Sequence, residues 1–280
     1  MRRVIYSWYY DIPSNELVSH HESRDKFNNN YEWLLERHKQ YASSIEVDYK
    51  HFTVSEDFNE YQKWFKVNYS DITAYNIVNF YKIHLMYQLA EEYDEILYLD
   101  MDVIPATTDN FFNVWDLSKG YAIMTGTAEA QRSVNELDTL RHVHHVRSPM
   151  AKHWNTKCML NEMELPTDNI DVFNTGIVGI NKQSLKRLAY FDHFEETLDL
   201  MALLTTDTFY PESFRSLFGY DNETVWGYKT IVNNVPFQRL GKRWHHFMDT
   251  WSYIPPNTKL IHCVSKDFDY VREWCEKNNI

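Results

Sequence analysis

The first hundred residues switch between two hydrophobic periods, and no other feature constrains the fold of this chain as tightly. Residues 3–9 form an apolar run that opens into the polar stretch Asp11-Ile12-Pro13-Ser14-Asn15, the pattern of a buried strand and its loop. From Asn29 to Ala42, Tyr31, Leu34, Leu35, His38 and Tyr41 recur at helical spacing. Ile45, Val47 and Tyr49 then alternate with Glu46, Asp48 and Lys50, the period of a half-buried strand. A second helical pattern covers Phe58 to Val67. A third runs from Tyr75 to Tyr93, with Val78, Tyr81, Leu85 and Leu89 on one stripe. Glu95 to Leu99 is a short apolar strand. Strands separated by helices pair in parallel through crossovers, so the expected class is α/β with a doubly wound, mostly parallel sheet.

Past residue 102 the pattern is mixed. Gly120 to Thr127 and Asp171 to Asn181 read as strands, and the glycines of the second mark a close approach. Helices are expected from Gln183 to about Leu204 and from Glu223 to Val232, with a last strand at Lys259 to Cys263. Residues 128–170 are polar, rich in histidine and carry no clear period. No repeat, low-complexity tract or Pro/Gly linker divides the 280 residues, so residues 1–280 are expected to form a single domain.

Composition removes several functions. A net charge of -12 argues against a nucleic-acid partner, whose phosphates require a basic footprint. Only 7 glycines are present, and neither a dinucleotide fingerprint nor a P-loop can be found, so phosphate must be held by other means. Cys158, Cys263 and Cys275 lack the spacing of a zinc site or a disulfide framework. Arg2 and Arg3 precede an apolar run that is short, aromatic and interrupted by Ser7 and Asp11. It reads as a first strand, not a signal peptide. No apolar run is long enough to span a bilayer, and a soluble, cytoplasmic protein is expected.

The chemistry concentrates at Ile96-Leu97-Tyr98-Leu99-Asp100-Met101-Asp102. Ligands of open parallel sheets bind outside the carboxyl ends of strands, where this pair of aspartates falls. Along an extended chain, residues two apart share a side. Asp100 and Asp102 would then face one hard cation, with Met101 turned into the core. Mn²⁺ or Mg²⁺ takes such oxygen ligands and can bridge a diphosphate, stabilising the charge that grows as it leaves.

These residues resemble those of the GT-A-fold glycosyltransferases, in particular the retaining family 8 that includes glycogenin-like and lipopolysaccharide galactosyltransferase-like enzymes. The family's YLDxD-type motif is matched by Tyr98-Leu99-Asp100-Met101-Asp102, and its FNxGxxxxN strand by Phe173-Asn174-Thr175-Gly176-Ile177-Val178-Gly179-Ile180-Asn181. Asp221-Asn222-Glu223 is the looser counterpart of its DQD-type segment, and Leu260-Ile261-His262-Cys263 stands where the family has a strand ending in a metal-binding histidine. The four elements keep the family's order.

The resemblance implies a GT-A-type domain whose nucleotide-sugar half is about 1–127 and whose acceptor half, of mixed structure, is about 128–280. It implies a hexosyltransferase acting, with retention, from a UDP-hexose onto a glycan, protein or lipid acceptor. Asp100, Asp102 and His262 would hold the cation, and an imidazole among carboxylates favours Mn²⁺ over Mg²⁺. Ser7, Tyr9, Tyr10, Asp11, Lys82, Asp100, Met101 and Lys266 would bind the nucleotide-sugar. Asn174, Asp221 and Asn222 would serve the oxocarbenium-like transition state, although Asp221 also suits a helix N-cap. Two departures stand out. His262 is followed by Cys263-Val264-Ser265-Lys266 without the family's glycine, and Asn222-Glu223 replaces Gln-Asp.

Two other readings of the motif exist: a haloacid dehalogenase-type phosphatase using Asp100 and Asp102, and a sugar-binding relict of the same fold without catalysis. The histidine pairs His142/His144 and His245/His246 lack a completing carboxylate or cysteine at metal spacing and are read as loop residues.

Overall fold

The computed structural model describes residues 1–16, 21–127, 148–248 and 253–280. Two compact units emerge. The first comprises Met1–Ala122, Gly176–Lys182 and Gln238–Ile280; the second comprises Ile123–Thr175 and Gln183–Phe237.

The first unit is built on β1 (Arg3–Trp8), β2 (Asp48–Phe52) and β3 (Glu95–Leu99). β1 lies between β2 and β3 and pairs with both in parallel. The connections are helices α1 (His21–Ser44), α2 (Glu56–Asn68) and α3 (Ala74–Ala90). Ser55 and Thr73 fix the starts of α2 and α3 by accepting the amide hydrogens of Phe58 and Asn76, each at 3.2 Å. The mixed α/β class with a mostly parallel centre is therefore as the hydrophobic periods require. β6 (Phe173–Asn181) departs from it by running antiparallel to β3, with Leu99 opposite Ile177. β5 (Tyr121–Thr125) and β7 (Phe237–Arg239) extend the sheet to the order β2-β1-β3-β6-β5-β7. A second sheet, β4-β9-β8, is formed by β4 (Val103–Pro105), β8 (His246–Phe247) and β9 (Leu260–His262).

Apolar packing holds these sheets. Ile5, Leu97, Leu99 and Ile177 are buried with Phe111, Leu117, Leu240 and Trp244, and each such side chain contributes about 1.5–3 kcal/mol on leaving water. A separate cluster joins Leu34 of α1, Met101, Ile104, Ile261 and Cys263 to Phe268 and Val271, which belong to the helix Phe268–Lys277. That cluster holds the chain between the two aspartates, at Met101, and just after them, at Ile104.

In the second unit, helix Pro149–Glu162 is capped by Ser148, and helix Asn222–Val232 by Asp221. The expected long helix from Gln183 to Leu204 is two helices, Lys182–Leu188 and Phe194–Thr206. Between them Ala189 and His193 take φ of 48° and 50°. The break delivers Tyr190 to the interior, where its hydroxyl donates to the Asn222 carbonyl at 2.9 Å. Burying that ring against Trp226 outweighs the local helical tendency.

The strand expected from Ile45 is also displaced. Helix α1 runs to Ser44, and the amides of Ile45 and Val47 bond back to Tyr41 and Ala42 through a left-handed Glu46 (φ 55°). Ile45 and Val47 pack against the core from this turn, and the strand begins at Asp48. Alternation in sequence mimicked a strand where a helix end supplies the same burial.

Two predictions follow from the packing. A Cβ on Gly179 would lie 2.3 Å from the Phe111 ring, so Gly179→Ala must displace a buried aromatic. It is expected to lower stability by about 1–3 kcal/mol, read from urea unfolding midpoints. His38 is fully buried and donates through Nε2 to the Val103 carbonyl at 2.5 Å. Burial pushes its pKa down to about 4. The unfolded imidazole titrates near 6.5, so the unfolded state binds the extra proton and stability falls as pH drops from about 6.5 towards 4. The loss is on the order of 3 kcal/mol. Thermal melts of His38→Gln should show a shallower decline across that window than the natural protein.

Candidate functional site

The aspartate pair sits in a turn, not on an extended segment. Asp100 closes the end of β3, its amide donating to the Gly176 carbonyl at 2.8 Å, and its own carbonyl accepts from Val103 at 2.9 Å. The carboxylates therefore converge because the chain curls around Met101, not because a strand alternates. Met101 itself is buried among Ile104, Ile261 and Cys263, so its side chain belongs to the core. The Asp102 carbonyl accepts from Cys263 at 2.8 Å, and β4 runs antiparallel to β9 with Val103 opposite His262. Register thus carries His262 to the aspartates across 160 residues of sequence.

His262 Nε2 lies 3.5 Å from Asp102 Oδ2 and 4.0 Å from Asp100 Oδ2. One ligand atom from each of the three residues falls within 4.8 Å of the others. Among the described residues this is the one such group of three. Two carboxylates and an imidazole, mostly buried and converging, suit a borderline-hard divalent cation such as Mn²⁺.

Two lysines accompany them. Lys266 forms an ion pair with Asp102, and Lys82, only 2% exposed, reaches Asp100 Oδ1 at 3.2 Å. Lys82 is thus a buried partner of Asp100 and not a solvated face charge on α3. Burial disfavours a charged Asp102, but the Lys266 ammonium and the His262 imidazole prevail and hold its carboxyl far below the usual range. Tyr98 donates to Asp100 as well; burial, reinforced by that carboxylate, raises the phenol well above its ordinary value. Lys266 adopts φ 58°. A non-glycine residue is uncommon in that left-handed region.

The residues expected to bind a nucleotide are more varied. Tyr9 is half-buried against Phe27 and Tyr31, and Lys266 lies 4.8 Å above the Phe27 ring, so Phe27 and Lys266 link Tyr9 to Asp102. Tyr10 packs on Phe58. Asp11 is gripped by Arg24 through two hydrogen bonds of 2.5 and 2.8 Å, which keep it ionised. Ser7 is fully buried, its hydroxyl shared between Tyr49 at 2.6 Å and His51 at 2.8 Å. Its side chain ties β1 to β2.

In the second unit Asp221 does serve as an N-cap, accepting from the amide and hydroxyl of Thr224, both at 2.8 Å. Burial raises its pKa, Lys152 opposes that and Glu223 adds to it. Asn222 donates to Thr175 Oγ1 at 2.8 Å. Glu223 accepts from the Thr175 amide at 2.6 Å and from its hydroxyl at 3.2 Å, and forms an ion pair with Lys152. Asn174 is half-buried next to that threonine on β6. Lys152, on an aperiodic stretch, gave no sequence signal, whereas Glu223 was visible as part of the three-residue motif.

His245 was likewise unforeseen. Read as a loop histidine, it is instead 1% exposed, with Nε2 2.9 Å from His262 Nδ1. The pair His142/His144 lies outside the described residues. Among the described residues no helix is long and apolar enough to cross a membrane.

Residues 7–220 match the model of the family described as glycosyl transferase family 8. No curated protein matches the chain. Among solved structures, similarity is found to a glycosyltransferase involved in glycosylation of the major capsid of PBCV-1, at 14% identity and TM-score 0.48, covering 99% of this chain and 100% of that one. It is also found to the galactosyltransferase LgtC in complex with donor and acceptor sugar analogs, at 12% identity and TM-score 0.47, covering 98% and 95%. A third is mouse xyloside xylosyltransferase 1, at 10% identity and TM-score 0.46, covering 94% and 97%.

The Lys152–Glu223 pair is testable apart from any activity, since both side chains are only 10% exposed. Lys152→Met removes the ammonium beside a buried carboxylate and is expected to cost about 3–5 kcal/mol. Adding Glu223→Gln to that variant should recover most of the loss in a double-mutant cycle by urea unfolding.

Proposed function

The chain belongs to glycosyl transferase family 8 and is a glycosyltransferase; on that premise we propose that it transfers a hexose, with retention, from a UDP-sugar to a glycan acceptor with the help of Mn²⁺. The observation that carries the metal and donor is the convergence of Asp100, Asp102 and His262 within 4.8 Å, flanked by Lys82 and Lys266. An anionic protein handles a diphosphate only where cations are concentrated, and this is such a place.

In this reading Asp100, Asp102 and His262 would hold the cation, which would supply Lewis-acid stabilisation of the departing diphosphate. Lys266 and Lys82 add positive charge beside the same phosphates, Lys266 giving up its bond with Asp102 to do so. The main chain at Met101 and the ring of Tyr9 border the nucleotide, with Tyr10 and Asp11 completing its loop. Burial keeps Asp102 in a setting where its charge is held by neighbours and not by water. Asn174, Asp221 and Asn222 act on the sugar; Glu223 fixes Asn222's neighbour Thr175 and so the shape of that surface.

A haloacid dehalogenase-type phosphatase is not favoured, given the family and an imidazole directed at the carboxylates. The same membership weighs against a non-catalytic relict.

Mn²⁺ with UDP is expected to raise the melting temperature, and Asp102→Ala to abolish the rise; no shift with any nucleoside diphosphate would contradict the donor assignment. Release of nucleotide from a panel of UDP- and GDP-sugars then identifies the sugar.

A further inference from the structure

We infer that His245 is a positioning residue for the metal centre: it accepts the Nδ1–H of His262 and so holds the Nε2 lone pair of His262 towards Asp100 and Asp102. This rests on the metal reading above and adds to it a residue that touches neither cation nor substrate.

The geometry is specific. His262 turns Nε2 to the carboxylates, at 3.5 and 4.0 Å, and Nδ1 to His245 Nε2 at 2.9 Å. A neutral imidazole carries a single proton, and the nitrogen that binds a metal must be the bare one. If Nε2 is the ligand atom, the proton sits on Nδ1 and needs an acceptor. The acceptor in reach is His245. Metal-bound histidines commonly donate in this way to a carboxylate or carbonyl, and the partner fixes both tautomer and ring orientation. Here a second imidazole fills that place. Unlike a carboxylate it brings no further negative charge to a site that already has two.

His245 is itself held rigidly. Its amide donates to the Gly241 carbonyl at 3.1 Å, and the next two residues form β8, with His246 opposite Ile261 and Phe247 opposite His262. The Phe247 ring stands edge-on to His262 at 5.2 Å, so the His262 ring packs against both His245 and Phe247. His245 Nδ1 is buried and has no hydrogen-bond partner among the described residues. A buried polar atom left in that condition is costly, and a site that needs His245 Nε2 as an acceptor gives a physical reason for a histidine at this position. With Nε2 accepting, the remaining proton of His245 resides on that Nδ1.

The proposal is tested first on the natural protein, with no substitution. Long-range ¹H–¹⁵N spectra of the Zn²⁺-loaded protein, Zn²⁺ serving as a diamagnetic probe, should show His262 protonated on Nδ1 and metal-bound through Nε2. A His262 bound through Nδ1, or not bound, overturns the inference. Titration calorimetry with Mn²⁺ alone then compares the natural protein with His245→Leu and His245→Gln. Affinity should fall roughly 10–100-fold in the leucine variant. The glutamine variant, whose carboxamide oxygen can accept, should regain a substantial part. Unchanged affinity in folded His245→Leu also overturns it. A natural protein that binds Mn²⁺ nowhere contradicts the metal reading instead, a result distinct from intact binding that ignores His245.

Discussion

Two aspartates forced together at the end of β3 are the constraint to which the rest of the first unit answers. Like charges a few ångströms apart in a partly dehydrated turn repel, and the repulsion grows as water is excluded. Everything around them supplies compensation: Lys266 on Asp102, Lys82 and the Tyr98 hydroxyl on Asp100, and His262 facing both. That is a costly arrangement for stability alone. Replacing buried charges with packed apolar groups is often neutral or better. On the proposed reading, a cation and its phosphate ligands would give the arrangement its reason.

The route from sequence to this cluster runs through register. The apolar run of β3 and the DxD after it were legible because a short buried strand ending in two acids is an uncommon pattern. Helices α2 and α3 were legible through their period, and their starts follow from Ser55 and Thr73. The convergence itself was less so. Alternation suggested the correct outcome for Asp100 and Asp102 by the wrong geometry, since a turn and not a strand brings them together. His262 could be placed there only through resemblance. The physical cause is the pairing of β4 with β9; the strand at 259–263 was expected, but three-residue β4 and its choice of partner leave no periodicity to read.

Where sequence reasoning missed, tertiary burial had overridden local pattern. Ile45 and Val47 alternate as a strand does, yet a helix end buries them equally well. The helix expected past Leu188 breaks so that Tyr190 can enter the interior of the second unit. Lys152 and His245 had no signature, because an ion pair or a ring–ring hydrogen bond between distant residues leaves no trace in spacing. Ser7 shows a different case: a polar residue at a strand end invites a ligand, and here its hydroxyl also meets Tyr49 and His51. Polar residues at strand ends divide between substrate and scaffold, and only their hydrogen bonds tell which.

The central claim is that one imidazole and two carboxylates share a cation. Pulsed electron paramagnetic resonance of bound Mn²⁺, with histidine labelled by ¹⁵N, addresses it most directly. The account predicts coupling to a single imidazole nitrogen that disappears in His262→Ala. Tightly bound Mn²⁺ surrounded by oxygen alone, with a spectrum indifferent to His262, would contradict it.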